Sequence, residues 1–197
     1  MAQPSMRDAI RKAGREEFHE RGYYATGIAA ITARADAHKG SFYNHYASKE
    51  DLAVEVITDY GNEQRMEMLE DASVEPLTRI EQHFTFVSEA LRAFDFRLGC
   101  MLGNFSAEIT TETPRIQETL TANLDYWAGL LTKALDEAAK AHAAVGHDSE
   151  TTAWLLIDGY EGAALRGRAT RSARPMNAFL STGMPQTLAA FRSHYTK

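Results

Sequence analysis

Several classes of protein are excluded by what the sequence lacks. No apolar run approaches the roughly 20 residues that a membrane-spanning helix needs, and the first residues form no hydrophobic signal segment. Cys100 is the only cysteine among the 197 residues, so an intramolecular disulfide is impossible, which agrees with a reducing compartment. We therefore expect a cytoplasmic protein without a membrane partner.

The short motifs of catalysis are also missing. The sequence has no phosphate-binding glycine loop, no His-Glu-x-x-His pair and no nucleophile elbow. An alternative is a helical enzyme that uses Glu108, Asp158 and Glu161 as acid–base groups, but no catalytic motif supports it. We therefore expect neither enzyme activity nor a cofactor. A metal site at His38 and His45 is disfavoured, because they lie seven residues apart and ligands on one helix usually lie three or four apart.

Sustained alternation of apolar and polar residues is absent, so no strands are expected. Apolar residues instead recur at steps of three and four, which is typical of helices with one buried face. The two clearest stripes are Leu77, Ile80, Phe84, Val87, Leu91 and Phe94, and Leu120, Leu124, Trp127, Leu131, Ala134 and Ala138. These patterns predict an all-α protein.

Charge is unevenly distributed along the chain. The net charge is −6, but residues 1–52 hold 8 basic and 7 acidic residues, a net of +1. The remainder holds 13 basic and 20 acidic residues, a net of −7. Such asymmetry can mark one part of a chain that meets an anion.

Residues 35–52, ADAHKGSFYNHYASKEDL, are the most informative stretch. A first helix is predicted from a capping box at Ser5 to Gly22, and a second from Thr26, as its N-cap, to Ala35. A third is predicted from about His38 to Tyr46, and Ser48 caps a fourth. Two short helices joined by a tight turn form a helix-turn-helix, whose second helix enters the major groove of DNA.

The polar residues of the third helix face away from the predicted core. Ile28, Ile31, Phe42 and Tyr46 point inward, which leaves the polar side chains between them outside. In the major groove lysine can read guanine and asparagine can read adenine, while hydroxyls, imidazoles and helix N-termini bind phosphate. The predicted DNA contacts are Thr26, His38, Lys39, Gly40, Ser41, Tyr43, Asn44, His45 and Lys49. A helical adaptor with no DNA role would leave this face unexplained.

This part of the sequence resembles the TetR family of bacterial transcriptional regulators. The resemblance covers about a quarter of the chain, and it is carried by Ile10, Phe18, Gly22, Tyr23, Thr26, Ile28, Ile31, Ala35, residues 39–46 and residues 48–52. Two positions depart from the family pattern: Asp36 stands in the turn where glycine is usual, and His38 opens the recognition helix where serine or threonine is usual. Asp36 can take the left-handed conformation that the turn requires.

The resemblance implies an obligate dimer and a small-molecule effector whose binding usually releases DNA. It completes the predicted organisation: about nine helices, with a three-helix helix-turn-helix domain over residues 1–50 and a helical effector-binding and dimerisation domain over 51–197. The function predicted is a repressor released from a palindromic operator in double-stranded DNA. The fourth helix is expected to connect the effector pocket with the DNA-binding helices.

Cys100 has two interpretations. A lone cysteine at the start of a buried helix, here predicted over residues 100–111, is most often a small core residue. A helix N-terminus also lowers the pKa of a thiol, which suits a sensor thiol. The segment Gly99–Asn104 resembles a branch of TetR regulators, some of which respond to electrophiles or small unsaturated acids. The predicted effector contacts are Phe84, Cys100, Asn104, Phe105, Glu108, Asn123, Trp127 and Tyr160.

The two last predicted helices are assigned to the homodimer interface. In the helix over 149–170, Trp154, Asp158, Glu161 and Leu165 fall on one face, beside small residues that allow close helix packing. The helix over 175–195 carries a second stripe, and Pro185 predicts a kink or break near its middle. That stripe consists of Leu180, Met184, Leu188, Phe191 and Tyr195.

Overall fold

The computed structural model describes residues 5–142 and 148–192, and over these ranges the chain is helical and contains no strand. The helices are α1 (Met6–Arg21), α2 (Ile28–Arg34), α3 (Lys39–Tyr43), α4 (Lys49–Asn62), α5 (Pro76–Arg92), α6 (Met101–Ser106), α7 (Pro114–His142), α8 (Ser149–Thr170), α9 (Arg174–Ala178) and α10 (Met184–Thr187). A π-helical stretch, Phe179–Gly183, joins α9 to α10, so these two form one irregular helix. The predicted all-α fold of about nine helices is confirmed.

The chain divides into two compact units. The first unit comprises the chain up to Asn62 together with Met101–Asn123, and the second comprises Glu63–Cys100 and the chain from Leu124 onward. The predicted boundary after residue 50 falls inside α4, which packs against α1 and belongs whole to the first unit. The start of α7 groups with the first unit and its remainder with the second.

In the first unit, α1 packs against α2, α3 and α4 around fully buried Phe18, Ile31 and Phe42. Both predicted serine caps are present. The Asp8 N–H donates to Ser5 Oγ at 3.2 Å, and the Asp51 N–H donates to Ser48 Oγ at 3.0 Å. Each hydroxyl donates in return to the same aspartate, so α1 and α4 begin at a reciprocal cap.

The helix-turn-helix differs from its prediction at two boundaries. Gly27, rather than Thr26, precedes the first residue of α2, and no side chain caps that helix. The α-helical part of α3 ends at Tyr43, three residues earlier than expected, although the Tyr46 N–H still donates to Phe42 O at 2.9 Å. Asp36 lies in the turn with φ 51°, so it takes the left-handed conformation as expected.

The second unit is built from α5, most of α7, α8 and the α9–α10 helix. Ser149 and Thr170 bound α8 as predicted, and Asp148 caps it by accepting the Thr151 N–H at 2.9 Å. The irregularity expected near Pro185 is present, because the π-helical stretch ends at Gly183 and Pro185 lies in the first turn of α10.

The assignment of the last stripe to a dimer interface is corrected. Leu180 is partly exposed, but Met184, Leu188 and Phe191 are at most 4% exposed in a single chain, and α10, which begins at Met184, packs against α8. Their apolar surface is thus already covered by their own unit. The last predicted member of the stripe, Tyr195, lies outside the described residues.

The helix predicted over residues 100–111 is also shorter than expected. It runs only from Met101 to Ser106, and turns occupy the stretch that leads to α7. Thr113 closes this segment, because its Oγ accepts the Thr110 N–H at 3.1 Å and donates to Thr110 O at 3.1 Å. The apolar spacing could not reveal this, since α6 ends where side-chain hydrogen bonds replace the helical ones.

Candidate nucleic-acid interface and effector site

The reading face is the exposed side of α3 and its flanks: His38, Lys39, Gly40, Ser41, Tyr43, Asn44 and His45. All of these residues are exposed except Ser41, which is partly so, and Tyr43 is 52% exposed. Phe42 and Tyr46, between and beside them, are 0% and 4% exposed. Burial of Phe42 and Tyr46 fixes the rotation of α3 about its axis, so that its polar side chains point outward as predicted.

Gly40 has room for an approaching partner. A Cβ atom added at Gly40 would meet no protein atom within 4 Å, so no intramolecular packing requires glycine here. The absence of a side chain leaves the backbone at the start of α3 open to close approach. Gly40 therefore suits an interface in which a groove wall or a phosphate lies against the backbone.

The structure corrects the prediction that Thr26 binds phosphate. Thr26 is 1% exposed, and its Oγ donates to Gly22 O at 2.7 Å and Glu17 O at 3.2 Å. The hydroxyl thus closes the turn between α1 and α2 instead of facing solvent. Sequence spacing placed Thr26 correctly near a helix start but could not show that the turn would bury it.

The ammonium group of Lys49 is likewise hydrogen-bonded within the protein. Its Nζ donates to Tyr23 O at 2.8 Å and to Thr26 O at 2.9 Å, and it lies 4.1 Å from the Tyr23 ring centroid. Burial lowers the pKa of Lys49, and the nearby Glu108 carboxylate opposes this shift. Lys49 therefore holds the α1–α2 turn to the start of α4, and we do not retain it as a phosphate contact.

An ion-pair cluster that the sequence reasoning missed holds α2 against α1. Arg34 Nε lies 2.7 Å from Glu17 Oε1, and its Nη2 lies 2.7 Å from Glu20 Oε2. Glu17 is 3% exposed, so this is a buried carboxylate with a cationic partner. The signal in the sequence was an acidic residue, Glu17, beside Phe18 on the apolar face of α1.

The predicted effector residues divide between the two units. Asn104, Phe105, Glu108 and Asn123 belong to the first unit, and Phe84, Cys100, Trp127 and Tyr160 belong to the second.

The four residues of the first unit have structural surroundings there. Phe105 packs edge-to-face against Phe18 with a centroid distance of 5.8 Å. Asn123 donates to Thr119 O at 2.8 Å, and Asn104 is 8% exposed. We therefore assign these residues to the framework of the first unit.

Glu108 has a specific structural role in the first unit. Its Oε2 accepts the Tyr24 N–H at 3.1 Å, and a side chain at Gly22 would collide with its carboxylate. Gly22 has φ 85°, so glycine is required there for both its conformation and its space. The Tyr24 hydroxyl also lies 2.7 Å from Thr110 Oγ. The segment after α6 thus binds the α1–α2 turn.

The residues of the second unit form a buried aromatic cluster. Phe84, Trp127 and Tyr160 are at most 2% exposed. The Trp127 ring centroid lies 5.7 Å from that of Phe84 and 5.6 Å from that of Tyr160. Phe179 completes the cluster at 5.4 Å from Phe84. Three of the four aromatic side chains predicted at the effector site therefore lie together here, while the fourth, Phe105, belongs to the first unit.

Cys100 is 4% exposed and hydrogen-bonds the Glu161 carboxyl group. Burial raises the pKa of Glu161 to about 7, and the Cys100 contact partly opposes that rise. The Oε1 atom of Glu161 is buried and has no hydrogen-bond partner. The prediction had put Glu161 on a dimer seam, whereas the structure turns this oxygen into the protein.

Two further polar side chains of α5 are buried in the second unit. His83 is 0% exposed, neither of its ring nitrogens has a hydrogen-bond partner, and burial lowers its pKa to about 4. Ser88 is also 0% exposed, with an unpartnered hydroxyl. Both were missed because they fall within a helix whose apolar stripe dominated the pattern.

Within residues 5–142 and 148–192, no cluster of three or more His, Cys, Asp or Glu side chains could hold a metal ion. Over the same residues, every helix is too short or too polar to span a membrane.

Two family models match the chain. The model for bacterial regulatory proteins of the tetR family matches residues 10–56, and that for the tetracyclin repressor-like C-terminal domain matches residues 76–182. The HTH-type transcriptional repressor DhaR of Mycobacterium sp. strain GP1 is 31% identical over 186 residues, which cover 92% of this chain and 91% of that protein. The transcriptional regulator AcuR of Cereibacter sphaeroides is 28% identical over 179 residues, 88% of this chain and 81% of that protein.

Solved structures agree on the fold. The regulatory protein TetR from Rhodobacter sphaeroides superposes with a TM-score of 0.82 at 26% identity, covering 90% of this chain and 96% of that one. The reduced form of NemR from E. coli superposes with a TM-score of 0.80 at 21% identity, covering 98% of this chain and 100% of that one. At that identity the second likeness supports the fold alone.

A helix-turn-helix with an exposed polar face, in a chain whose described residues form no strand, is typical of a DNA-binding transcriptional regulator. The two model matches and the relatives that span the chain make the assignment specific. The chain belongs to the TetR family of bacterial transcriptional regulators.

Proposed function

We propose that this regulator is a dimeric repressor, not an enzyme, that acts in the cytoplasm and leaves its operator when a small molecule binds the second unit. The observation that carries the DNA-binding part is the reading face, whose polar residues are exposed while Phe42 and Tyr46 are buried. The DNA contacts proposed are the seven residues of that face. Thr26 and Lys49 are left out because their polar atoms bind the protein itself.

The reading face is tested by DNA binding. We expect a Lys39→Ala, Tyr43→Ala double variant to bind DNA from the gene's own upstream region at least 30-fold more weakly, since contacts of this kind contribute about 1–3 kcal/mol each. Lys140→Ala is the matched control, because it removes one exposed positive charge from the last turn of α7. Gel-shift titrations at one salt concentration measure all three proteins.

Unchanged binding by the double variant would refute the assignment of the reading face. Equal loss in Lys140→Ala would show that net charge, rather than this face, governs binding. A Lys49→Ala variant is informative beside them. It should alter stability and not reduce the salt dependence of binding, because its ammonium group faces two backbone carbonyls.

Dimerisation is supported by the exposed face of α8. Trp154, Leu155 and Leu165 are 39%, 55% and 58% exposed, although each is large and apolar. Exposed apolar surface of this kind is typical of a protein–protein contact. Two-fold symmetry would require an operator that is a palindrome or close to one.

Sedimentation tests the dimer. The wild type should sediment as a dimer at micromolar concentration, and Leu165→Glu should shift it toward the monomer. Phe94→Glu is the control, since Phe94 is a similarly exposed apolar residue outside α8, at 50% exposure. A folded wild-type monomer at that concentration would exclude the proposed interface.

For the effector, we retain the residues of the second unit: Phe84, Cys100, Trp127 and Tyr160. An apolar enclosure with a few polar groups is the usual form of a small-molecule site. Coupling to DNA is supported by contacts inside the first unit. Glu108 binds the α1–α2 turn, and Arg115 at the start of α7 pairs with Asp51 of α4. Since α7 continues into the second unit, a ligand there can bias the position of these contacts if it prefers one state.

A further inference from the structure

Buried polar atoms without a hydrogen bond are concentrated in the second unit. Among the described residues, six of the eight such side-chain atoms belong to it: Arg79 Nε, His83 Nδ1, His83 Nε2, Ser88 Oγ, Trp127 Nε1 and Glu161 Oε1. A buried donor or acceptor left unpaired is costly, so native proteins pair the great majority of them. Several in one unit indicate groups that are completed by something other than the chain.

The aromatic cluster brings the His83, Trp127 and Glu161 groups of this set together in space. The His83 ring centroid lies 5.6 Å from that of Trp127, and the Trp127 centroid lies 5.6 Å from that of Tyr160. Tyr160 is followed directly by Glu161, whose other contact is Cys100. Imidazole, indole and carboxyl groups are thus carried by three helices, α5, α7 and α8, around one set of rings.

The chemistry of these groups selects the ligand. The indole of Trp127 can only donate a hydrogen bond, while a neutral His83 and the hydroxyl of Ser88 can each donate one. They therefore match an oxygen acceptor on the ligand. The burial that lowers the pKa of His83 to about 4 keeps its imidazole uncharged near neutral pH.

The one buried cation here already has a carboxylate as its counter-ion. Arg79 is the one arginine or lysine that is buried in the described part of the second unit. Its charge is already paired, since Nη2 pairs with Glu137 and Nη1 donates to Leu69 O at 3.1 Å, and only its Nε is left without a partner. Glu161 adds a negative charge whenever it is ionised. A carboxylate would enter without a counter-charge, and its desolvation would be uncompensated.

We infer that the effector site proposed above recognises an uncharged molecule with a carbonyl oxygen on an apolar frame, held by the His83 and Trp127 side chains with Ser88, and that it discriminates against carboxylates. The inference rests on the proposed function only in taking the second unit as the effector domain. The Glu161–Cys100 pair provides a second polar contact for such a ligand. His83, Ser88 and Glu161 thus join the residues retained above.

Matched pairs of probes test this inference. Calorimetric titrations at pH 7.5 compare the methyl esters of linear carboxylic acids of two to eight carbons, and methyl benzoate, with the carboxylates of the same skeletons. We expect at least one ester to bind at least tenfold more tightly than its carboxylate. His83→Phe and Trp127→Phe should each weaken that ester by about fivefold or more, while Tyr126→Phe, an exposed neighbour of Trp127, should not.

The inference is overturned if no ester binds, or if every carboxylate that binds does so as tightly as its ester. It is also overturned if both His83→Phe and Trp127→Phe bind the ester as the wild type does. Circular dichroism shows that each variant is folded, and Ser88→Ala replaces any variant that is not.

Titration needs no DNA, which separates this test from that of the proposed function. Ester binding by a protein that ignores its upstream DNA would refute the repressor and leave the site intact. DNA binding without any preference for esters would refute the proposed ligand class and leave the repressor function intact.

Discussion

The two units of the chain differ in how many buried polar side-chain atoms lack a hydrogen bond: among the described residues, two lie in the first unit and six in the second. In the first unit, the hydroxyl of Thr26 has two carbonyl acceptors, the ammonium of Lys49 has two more, and the buried carboxylate of Glu17 has an arginine. In the second unit, the imidazole of His83 and the hydroxyl of Ser88 have no hydrogen-bond partner. In the first unit, these contacts hold the DNA-reading element in one conformation. In the second unit, the His83 and Ser88 side chains are left able to bind a ligand.

The difference shows how to assign function to a buried polar residue. A group whose hydrogen bonds are all made within the chain contributes to the framework, and its loss should damage stability. A buried group that makes no hydrogen bond lowers the stability of the free protein, so removing it should not destabilise the fold. Three predictions test this contrast, in order of decreasing expected effect.

The first and largest prediction concerns pH, because Glu161 and His83 should bias stability in opposite directions. The pKa of Glu161 is raised to about 7 from 4.5, so between these values the folded chain keeps a proton that the unfolded chain loses, and the free energy of unfolding falls as pH rises. The pKa of His83 is lowered to about 4 from 6.5, so the free energy of unfolding falls as pH drops through that window. Each effect is roughly 3 kcal/mol.

Substitution separates the two effects. Over pH 4.5–6.5 they cancel in the wild type. Relative to the wild type, His83→Phe should become less stable as pH rises across this window, and Glu161→Gln should become more stable. Urea unfolding at half-unit steps of pH measures both slopes. Parallel profiles for all three proteins would show that neither group is perturbed by burial.

The second prediction concerns the ion pair in the first unit. Arg34→Ala should lower the free energy of unfolding by about 2 kcal/mol, because it leaves the buried Glu17 carboxylate without its main partner, although Arg34 itself is partly exposed. Arg7→Ala is the control, since it breaks the exposed Arg7–Glu55 pair and should cost less than about 1 kcal/mol. If both variants lose the same free energy of unfolding, the Arg34–Glu17 pair stabilises the packing of α2 no more than an exposed ion pair does.

The smallest predicted effect is the cleanest comparison of the two units. Thr26→Val removes a hydroxyl that donates to two carbonyls and should destabilise the protein by about 1 kcal/mol. Ser88→Ala removes a buried hydroxyl with no partner and should be neutral or stabilising. Thermal or urea unfolding compares their signs. Destabilisation of similar size in both variants would mean that Ser88 is satisfied in solution and is not a ligand contact.

Much of the fold was predictable because it depends on local signals. The caps at Ser5 and Ser48, the left-handed Asp36 and the bounds of α8 follow from side-chain chemistry within a few residues. The outward phase of the reading face follows from helical periodicity around Phe42 and Tyr46. These features are determined by interactions between residues that are close in sequence.

The errors arose where distant parts of the chain compete for a group. Thr26 was expected at a DNA phosphate and Glu108 at an effector, but the Gly22 and Glu17 carbonyls bind the first and the Tyr24 amide, 84 residues away, binds the second. Met184, Leu188 and Phe191 were expected to meet a second copy, yet all three are buried within their own chain. Periodicity identifies an apolar face without saying which surface will bury it.

The shortness of α3 limits how much information one copy of the chain can extract from DNA. Five residues, Lys39–Tyr43, rise by only about 7.5 Å along the helix axis, which spans roughly two base-pair steps. Three base pairs read by direct contact recur by chance about every 64 base pairs, against the roughly 10⁶ or more competing positions of a genome. Two such triplets at a fixed separation recur about once in 4,000. For the proposed dimer, operator specificity would therefore depend largely on the distance between the two α3 helices. An effector that changed this distance would abolish operator binding without contacting either α3 helix.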